Sequence, residues 1–177
     1  MRKAFVQLHI AVFLAGFTGI LGRLITLNEG VLVWYRLLIS SITMWVLFAL
    51  MKRLQRISVK DMFRIAGVGC IAALHWTSFF GSIKYANISV ALVCFSAIGF
   101  FTALFEPLIT RRKFIWQELL LGLLCMLGIY IIFHFDPRYK TGIIIGIISA
   151  MLAAIFPIFN RQLLQRMNAE TLMTYEL

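Results

Sequence analysis

The sequence predicts an all-α membrane protein: a polytopic helical bundle of six transmembrane helices plus the start of a seventh, built on a five-helix inverted repeat. Three observations carry that prediction. Of the 177 residues, 62% are apolar and 14% charged, against about 25% charged in soluble domains. A soluble fold of this size has too little polar surface to cover such a core. The charges also fall between long apolar runs rather than along them. Finally, one short segment recurs 140 residues later in the chain. A soluble enzyme, a disordered chain and a secreted disulfide scaffold are all excluded.

The spans follow in order from the stretches without formal charge, residues 4–22, 37–51, 65–83, 85–105, 119–135 and 141–160. Extended to their flanking turns, they become spans of about 4–24, 31–51, 64–83, 86–108, 116–135 and 141–160. Each is close to the ~17–25 residues an α-helix needs to cross ~30 Å of hydrocarbon. Helices are the economical choice because lipid offers the backbone no hydrogen-bond partner. The first run is long for a signal peptide and has no small-x-small cleavage site, although Arg2-Lys3 resembles the start of one. The second reaches full length by opening near Val31 and carrying Arg36 inside it.

The net charge is +10. In a soluble chain that balance would point to nucleic acid; here the charges are loop charges that set topology, and no nucleic-acid partner is expected. With the N-terminus in the cytoplasm, the inner loops hold 12 Lys and Arg and the outer loops 4, with Arg36 inside the second span. That asymmetry predicts a cytoplasmic N-terminus. Cys70, Cys94 and Cys125 lie inside apolar segments without CxxC spacing, which suits packing rather than metal or redox chemistry.

The recurring segment is Asn28-Glu-Gly-Val-Leu-Val-Trp-Tyr35-Arg36-Leu37, matched by Asn168-Ala-Glu-Thr-Leu-Met-Thr-Tyr175-Glu176-Leu177. Asn, Leu, Tyr and Leu coincide in register, and each copy joins a helix rich in small residues to the opening of the next. Five helices is an odd number, so a second copy enters the membrane from the opposite side, a plan known among secondary transporters. Residues 1–136 form the first repeat and 137–177 the start of a second. The chain is accordingly expected to be a fragment. Its sixth span should have few intrachain neighbours, because its natural partners would be the helices that follow.

The residues at the junctions carry a family resemblance. They are Trp34-Tyr35-Arg36-Leu37-Leu38 opening the second span and Ala73-Leu74-His75-Trp76-Thr77-Ser78-Phe79-Phe80 in the third. Ile83-Lys84-Tyr85-Ala86-Asn87-Ile88-Ser89-Val90-Ala91-Leu92 crosses into the fourth span, which ends Phe101-Thr102-Ala103-Leu104-Phe105-Glu106-Pro107-Leu108. Glu118, Leu121-Gly122 and Gly128-Ile129 mark the fifth. With these the chain resembles the EamA-type branch of the drug/metabolite transporter superfamily, whose members are built from two five-helix repeats. It departs from the pattern at Ala97-Ile98-Gly99, where many members carry a mid-helix proline, and at Thr110-Arg111-Arg112-Lys113, where they carry a Gly-Glu-Arg/Lys turn. The resemblance implies a multi-pass protein of a cell membrane, the bacterial inner membrane.

Polar residues at membrane depth are the candidate site, because each is costly unless it faces protein or water. Arg36, Ser40 and Thr43 share one face of the second span. Arg36 is placed either to pair with a substrate carboxylate or phosphate or to snorkel outward beside Trp34 and Tyr35. In the third span His75, Ser78 and Ser82 share a face, with His75 near the midplane and Trp76 beside it. His75 can bond a substrate or carry a proton; the bland alternative is a neutral ring bonded to a serine or carbonyl of the next helix. Ser96 lies on a small-residue stripe of the fourth span, and is expected near the centre of a cavity with His75 and Trp76. Glu106 and Pro107 close that span. They read as a gating or proton-coupling pair at the cytoplasmic mouth, or as an ion pair with the nearby cations and a plain helix end. The rows Gly122, Cys125, Gly128 and Gly142, Gly146, Ala150, Ala153, Pro157 read as packing. His9 and His134 are unpaired in spacing. No catalytic, metal or cofactor motif is present in the sequence.

The odd repeat, the charge asymmetry and the polar stripes, with the resemblance, imply a secondary transporter of a small organic solute, an amino acid, other metabolite or drug, working by alternating access. Its partners would be that solute, the bilayer, and either a second copy or the missing half-repeat. A non-transporting membrane subunit or assembly factor is the competing reading. The four-helix multidrug exporters are disfavoured, since they need a glutamate in the first span and residues 4–22 contain none.

Overall fold

The computed structural model describes residues 2–133 and 137–177, and it is helical throughout apart from short turns. His134, the expected end of the fifth span at 135 and the repeat boundary at 136 fall outside the described residues. Among the described residues eight α-helices form: α1 (Arg2–Leu24), α2 (Glu29–Leu50), α3 (Val59–Tyr85), α4 (Ile88–Phe95), α5 (Ile98–Thr110), α6 (Trp116–Phe133), α7 (Lys140–Leu163) and α8 (Ala169–Glu176). Among the described residues five segments are long and apolar enough to cross a membrane, with α4 and α5 together counting as one; α6 is a shorter apolar helix. At 1.5 Å per residue the 18 residues of α6 reach about 27 Å. The chain is a multi-pass helical membrane protein.

Polar side chains fix where the helices begin. Asn28 caps α2 by accepting from the Gly30 amide at 2.9 Å, and Asn168, its counterpart in the recurring segment, caps α8 through the Thr171 amide at 2.9 Å. Each satisfies a first-turn N–H that has no partner within its helix. Ser58 caps α3, so that helix starts at Val59, ahead of the expected 64. The hydropathy of 59–64 is low, but the cap and Asp61 in the first turn favour helix there.

The expected unbroken fourth span is two helices in line. At Ser96 and Ala97 the backbone tightens to i→i+3 bonds, Ser96 N–H to Val93 O and Ala97 N–H to Cys94 O, both 3.1 Å. This is a single 3₁₀ turn. The Ser96 hydroxyl donates to the Val93 carbonyl at 2.6 Å, and that side-chain bond competes with the helical ladder. No proline is needed for the break.

The expectation of a poorly packed sixth span is wrong. That span is α7, and it packs against α3 more extensively than any other pair of helices in the fold, and also against α4 and α5. Gly142, Gly146, Ser149, Ala150, Ala153 and Ala154 are all buried. The small row lets the backbones approach closely: the Ser82 hydroxyl donates to the Gly142 carbonyl at 2.8 Å. The helix expected to open a second repeat thus sits in the core, among α3, α4 and α5. By contrast α1 and α6 keep most of their large side chains exposed, including Phe13, Leu14, Leu120, Leu121, Ile131 and Ile132, as lipid-facing helices do.

On the side assigned to the cytoplasm, the turn after α2 is stitched to the start of α8. Arg53 pairs with Glu170 at 2.8 Å, the Asn168 side chain donates to the Arg53 carbonyl at 2.9 Å, and the Gln55 amide donates to the Thr171 hydroxyl at 2.9 Å. A bond from its own backbone N–H, and then Arg53, hold the Glu170 carboxyl below the usual carboxylate range. Beneath this seam Ile65, Val68, Leu163, Met167 and Leu172 form a buried cluster joining α3, α7 and α8.

Candidate functional site

The site is built on the N-terminal half of α2 and the middle of α3. Arg36 enters the membrane about two turns along α2, and its guanidinium carbon lies over Trp76, 3.8 Å from the ring centroid, with Phe80 at 5.9 Å. A partly buried contact of this kind is worth about 1–2 kcal/mol. The half-buried Arg36 therefore turns inward to α3 rather than snorkelling beside Trp34 and Tyr35, which are exposed. Its Nη1 is buried and has no hydrogen-bond partner among the described residues. A cavity of about 370 Å³ opens beside it between α1, α2 and α3, lined by Thr18, Leu21, Gly22, Tyr35, Arg36 and Phe80 among others.

Trp76 leads on to His75, whose ring is 4.9 Å away. His75 is 2% exposed and is enclosed by Phe95, Phe156 and Phe79 at 5.6, 5.9 and 6.3 Å. Its Nδ1 lies 3.0 Å from both the carbonyl and the hydroxyl of Ser149, while the Ser149 hydroxyl lies 3.2 Å from the His75 carbonyl. A carbonyl only accepts, so Nδ1 carries the proton and donates to Ser149, and the hydroxyl donates back to His75. The imidazole thus joins α3 to α7 within an aromatic box.

The other sequence candidates separate. Ser40 and Ser78 are partly buried and make no side-chain hydrogen bond among the described residues. Ser96 is not beside His75 and Trp76. It is exposed, and its hydroxyl lies 3.3 Å from the Cys125 sulfur of α6, so it belongs to the α4–α6 contact. Glu106 sits near the C-terminal end of α5, 2.8 Å from the Arg161 guanidinium of α7 and 3.9 Å from Arg112. It is an ion-pair anchor between α5 and α7. Pro107 lies in the last turn of α5, where Arg111 takes the left-handed conformation (φ 55°) and returns its N–H to the Pro107 carbonyl. The helix ends there rather than hinging.

The profile of the EamA-like transporter family matches residues 2–134. The chain belongs to that family. It is also similar to an uncharacterized transporter of Haemophilus influenzae, 26% identical over 156 residues, which cover 83% of this chain and 51% of that protein. The chain thus spans about half the length of the curated relative it matches. No solved structure matches it.

Two buried polar groups in α7 of this EamA-like chain are not evident from the sequence pattern. Ser149 and Asn160 sit in the apolar α7, where Gly142, Gly146 and Ala153 draw attention only to packing. Continuing that row at helical spacing, 142, 146, 149, 153 and 160, places both on the face that meets α3. Asn160 in turn bonds Glu176 of α8, its Nδ2 donating to Oε2 at 2.8 Å.

Proposed function

We propose that this chain is part of a secondary transporter that moves a small organic solute by alternating access, and that Arg36 on its Trp76 platform is the group that meets the solute. Membership in the EamA-like family and the similarity to a protein named a transporter support transport rather than catalysis. The observation that carries the residue assignment is the buried, unpartnered Nη1 beside the cavity. An unpaired charged donor is costly to bury, and a carboxylate or phosphate supplies the missing acceptor in bidentate geometry. The solute is therefore a small organic anion or zwitterion. His75, enclosed in its aromatic box and bonded to Ser149, holds α3 and Trp76 in place behind Arg36, and Ser40 and Ser78 are further candidate hydroxyls on the same two helices.

In this reading residues 1–136 are the first repeat and α7 and α8 open a second, with the N-terminus in the cytoplasm and the protein in the bacterial inner membrane. A second half-repeat or a second copy supplies the facing wall. Glu106 and Pro107 lock the cytoplasmic end through Arg161. The experiment is uptake of carboxylates, phosphate esters, neutral and cationic metabolites into vesicles carrying the full-length protein. Transport of acidic solutes that falls at least tenfold in Arg36→Gln, with unchanged amounts of inserted protein, is expected. Equal transport by Arg36→Gln and the parent would return Arg36 to a packing role.

A further inference from the structure

We propose that Glu176 is a proton-binding carboxyl that closes into a cyclic hydrogen-bonded pair with Asn160 when it is protonated. Asn160 is 7% exposed. Its Nδ2 donates to Glu176 Oε2 at 2.8 Å, whereas its Oδ1 is buried and has no donor among the described residues. A carboxylate only accepts, so ionised Glu176 cannot satisfy that carbonyl; a carboxylic acid can. With the proton on the second carboxyl oxygen, the acid O–H reaches Asn160 Oδ1 while Nδ2–H continues to serve Oε2. One bond of the ring is already made, and the missing one needs a single proton taken from water at the inner face. No other group is gained or lost in the step.

The surroundings give the ionised form no cation. On α7, Arg161 is 2.8 Å from Glu106, and beyond its end Arg166 is 3.6 Å from Asp61. On α3, Arg64 pairs with Asp61 at 3.0 Å and His75 is bonded to Ser149. On α2, Arg36 lies over Trp76, and the residue presented to α8 is Trp45, 5.0 Å from the Tyr175 ring. Arg53, in the turn after α2, is taken by Glu170 at 2.8 Å. Among the described residues no ion pair forms at Glu176, in contrast to Glu106, which has two arginines. The two carboxyls therefore divide the work: Glu106 anchors α5 to α7 through its arginines, and Glu176 binds and releases the proton. In the recurring segment Glu176 occupies the position of Arg36, so the corresponding sites carry an anion-binding and a proton-binding group. Resting on the transport reading, this proton is the coupling ion.

The test uses the full-length protein in lipid vesicles and reads the infrared C=O stretch of protonated carboxyls during a pH titration. A band present near neutral pH, lost in Glu176→Gln and shifted in frequency in Asn160→Ala, is expected. Glutamine keeps the ring geometry with Asn160, so that variant separates loss of the acid from loss of the fold. A spectrum of Glu176→Gln identical to that of the parent overturns the proposal. In the same vesicles, Glu176→Gln should lose proton-driven accumulation at least tenfold while retaining downhill solute exchange. Accumulation that stays proton-driven without the acid overturns its coupling role. If the parent moves no solute, the transport reading fails, and the infrared result alone decides for or against the proton site.

Discussion

Replacing Gly146 by alanine tests whether α7 belongs to the core. A Cβ at this position would stand 2.8 Å from both the Cys94 Cβ and the Ser82 Oγ. Carbon atoms pack at about 3.5–4.0 Å, so the new methyl is short by about 0.7–1.2 Å. Neither neighbour yields easily. Cys94 and Ser82 are both fully buried, and the Ser82 hydroxyl is held by its 2.8 Å bond to the Gly142 carbonyl. The helices must separate, and overpacking of this kind costs about 1–3 kcal/mol. Gly67→Ala is the internal control, since nothing lies within 4 Å of its new Cβ; alanine there should gain up to about 1 kcal/mol from helix propensity. Unfolding of the purified chain in mixed micelles, titrated with a denaturing detergent and followed by circular dichroism, compares the two. Combining Gly146→Ala with Cys94→Gly, which removes one of the two obstructing groups, should recover part of the loss. Equal stability of the Gly146→Ala and Gly67→Ala variants would refute the placement of α7 against α3 and α4.

The clasp between α3 and α7 should be measurable as a coupling. A double-mutant cycle of His75→Ala and Ser149→Ala is expected to give about 0.6–1.7 kcal/mol, the range of hydrogen bonds between membrane helices, and a coupling near zero would mean the two residues do not meet. For topology, single cysteines placed at Ser58 and at Tyr139, in a background lacking Cys70, Cys94 and Cys125, should differ in intact cells. Tyr139→Cys should react with an impermeant thiol reagent from outside and Ser58→Cys should not, and the opposite pattern would invert the assignment made from the loop charges.

What the sequence made legible, and what it did not, follows from the solvent. Span positions were readable because hydrocarbon tolerates few charges, and the interruptions at Arg23, Lys52–Arg56, Lys84 and Arg111–Lys113 sit at helix junctions or just inside them. Which helix is central was not readable from apolarity, because lipid is as apolar as a protein interior. The apolar helix α6 lies at the edge and the apolar helix α7 lies at the centre. What distinguishes them is the width of the small face. In α6, Gly122, Cys125 and Gly128 are hemmed by exposed Leu121, Leu124 and Leu127, whereas α7 runs from Gly142 through Gly146, Ser149 and Ala150 to Ala153 and Ala154. Reading that row as waiting for absent helices overlooked the complementary polar face of α3, where Ser82 and His75 are spaced to meet Gly142 and Ser149. The same reasoning explains why Glu176 was invisible as a functional carboxyl. Its partner Asn160 is 16 residues away across a turn, and a lone asparagine in an apolar helix gains meaning only when the chain folds back on it. In a membrane, where the bilayer sets the spans, the polar residues left inside them choose the neighbours, and the charge of each site follows from which neighbours are already engaged.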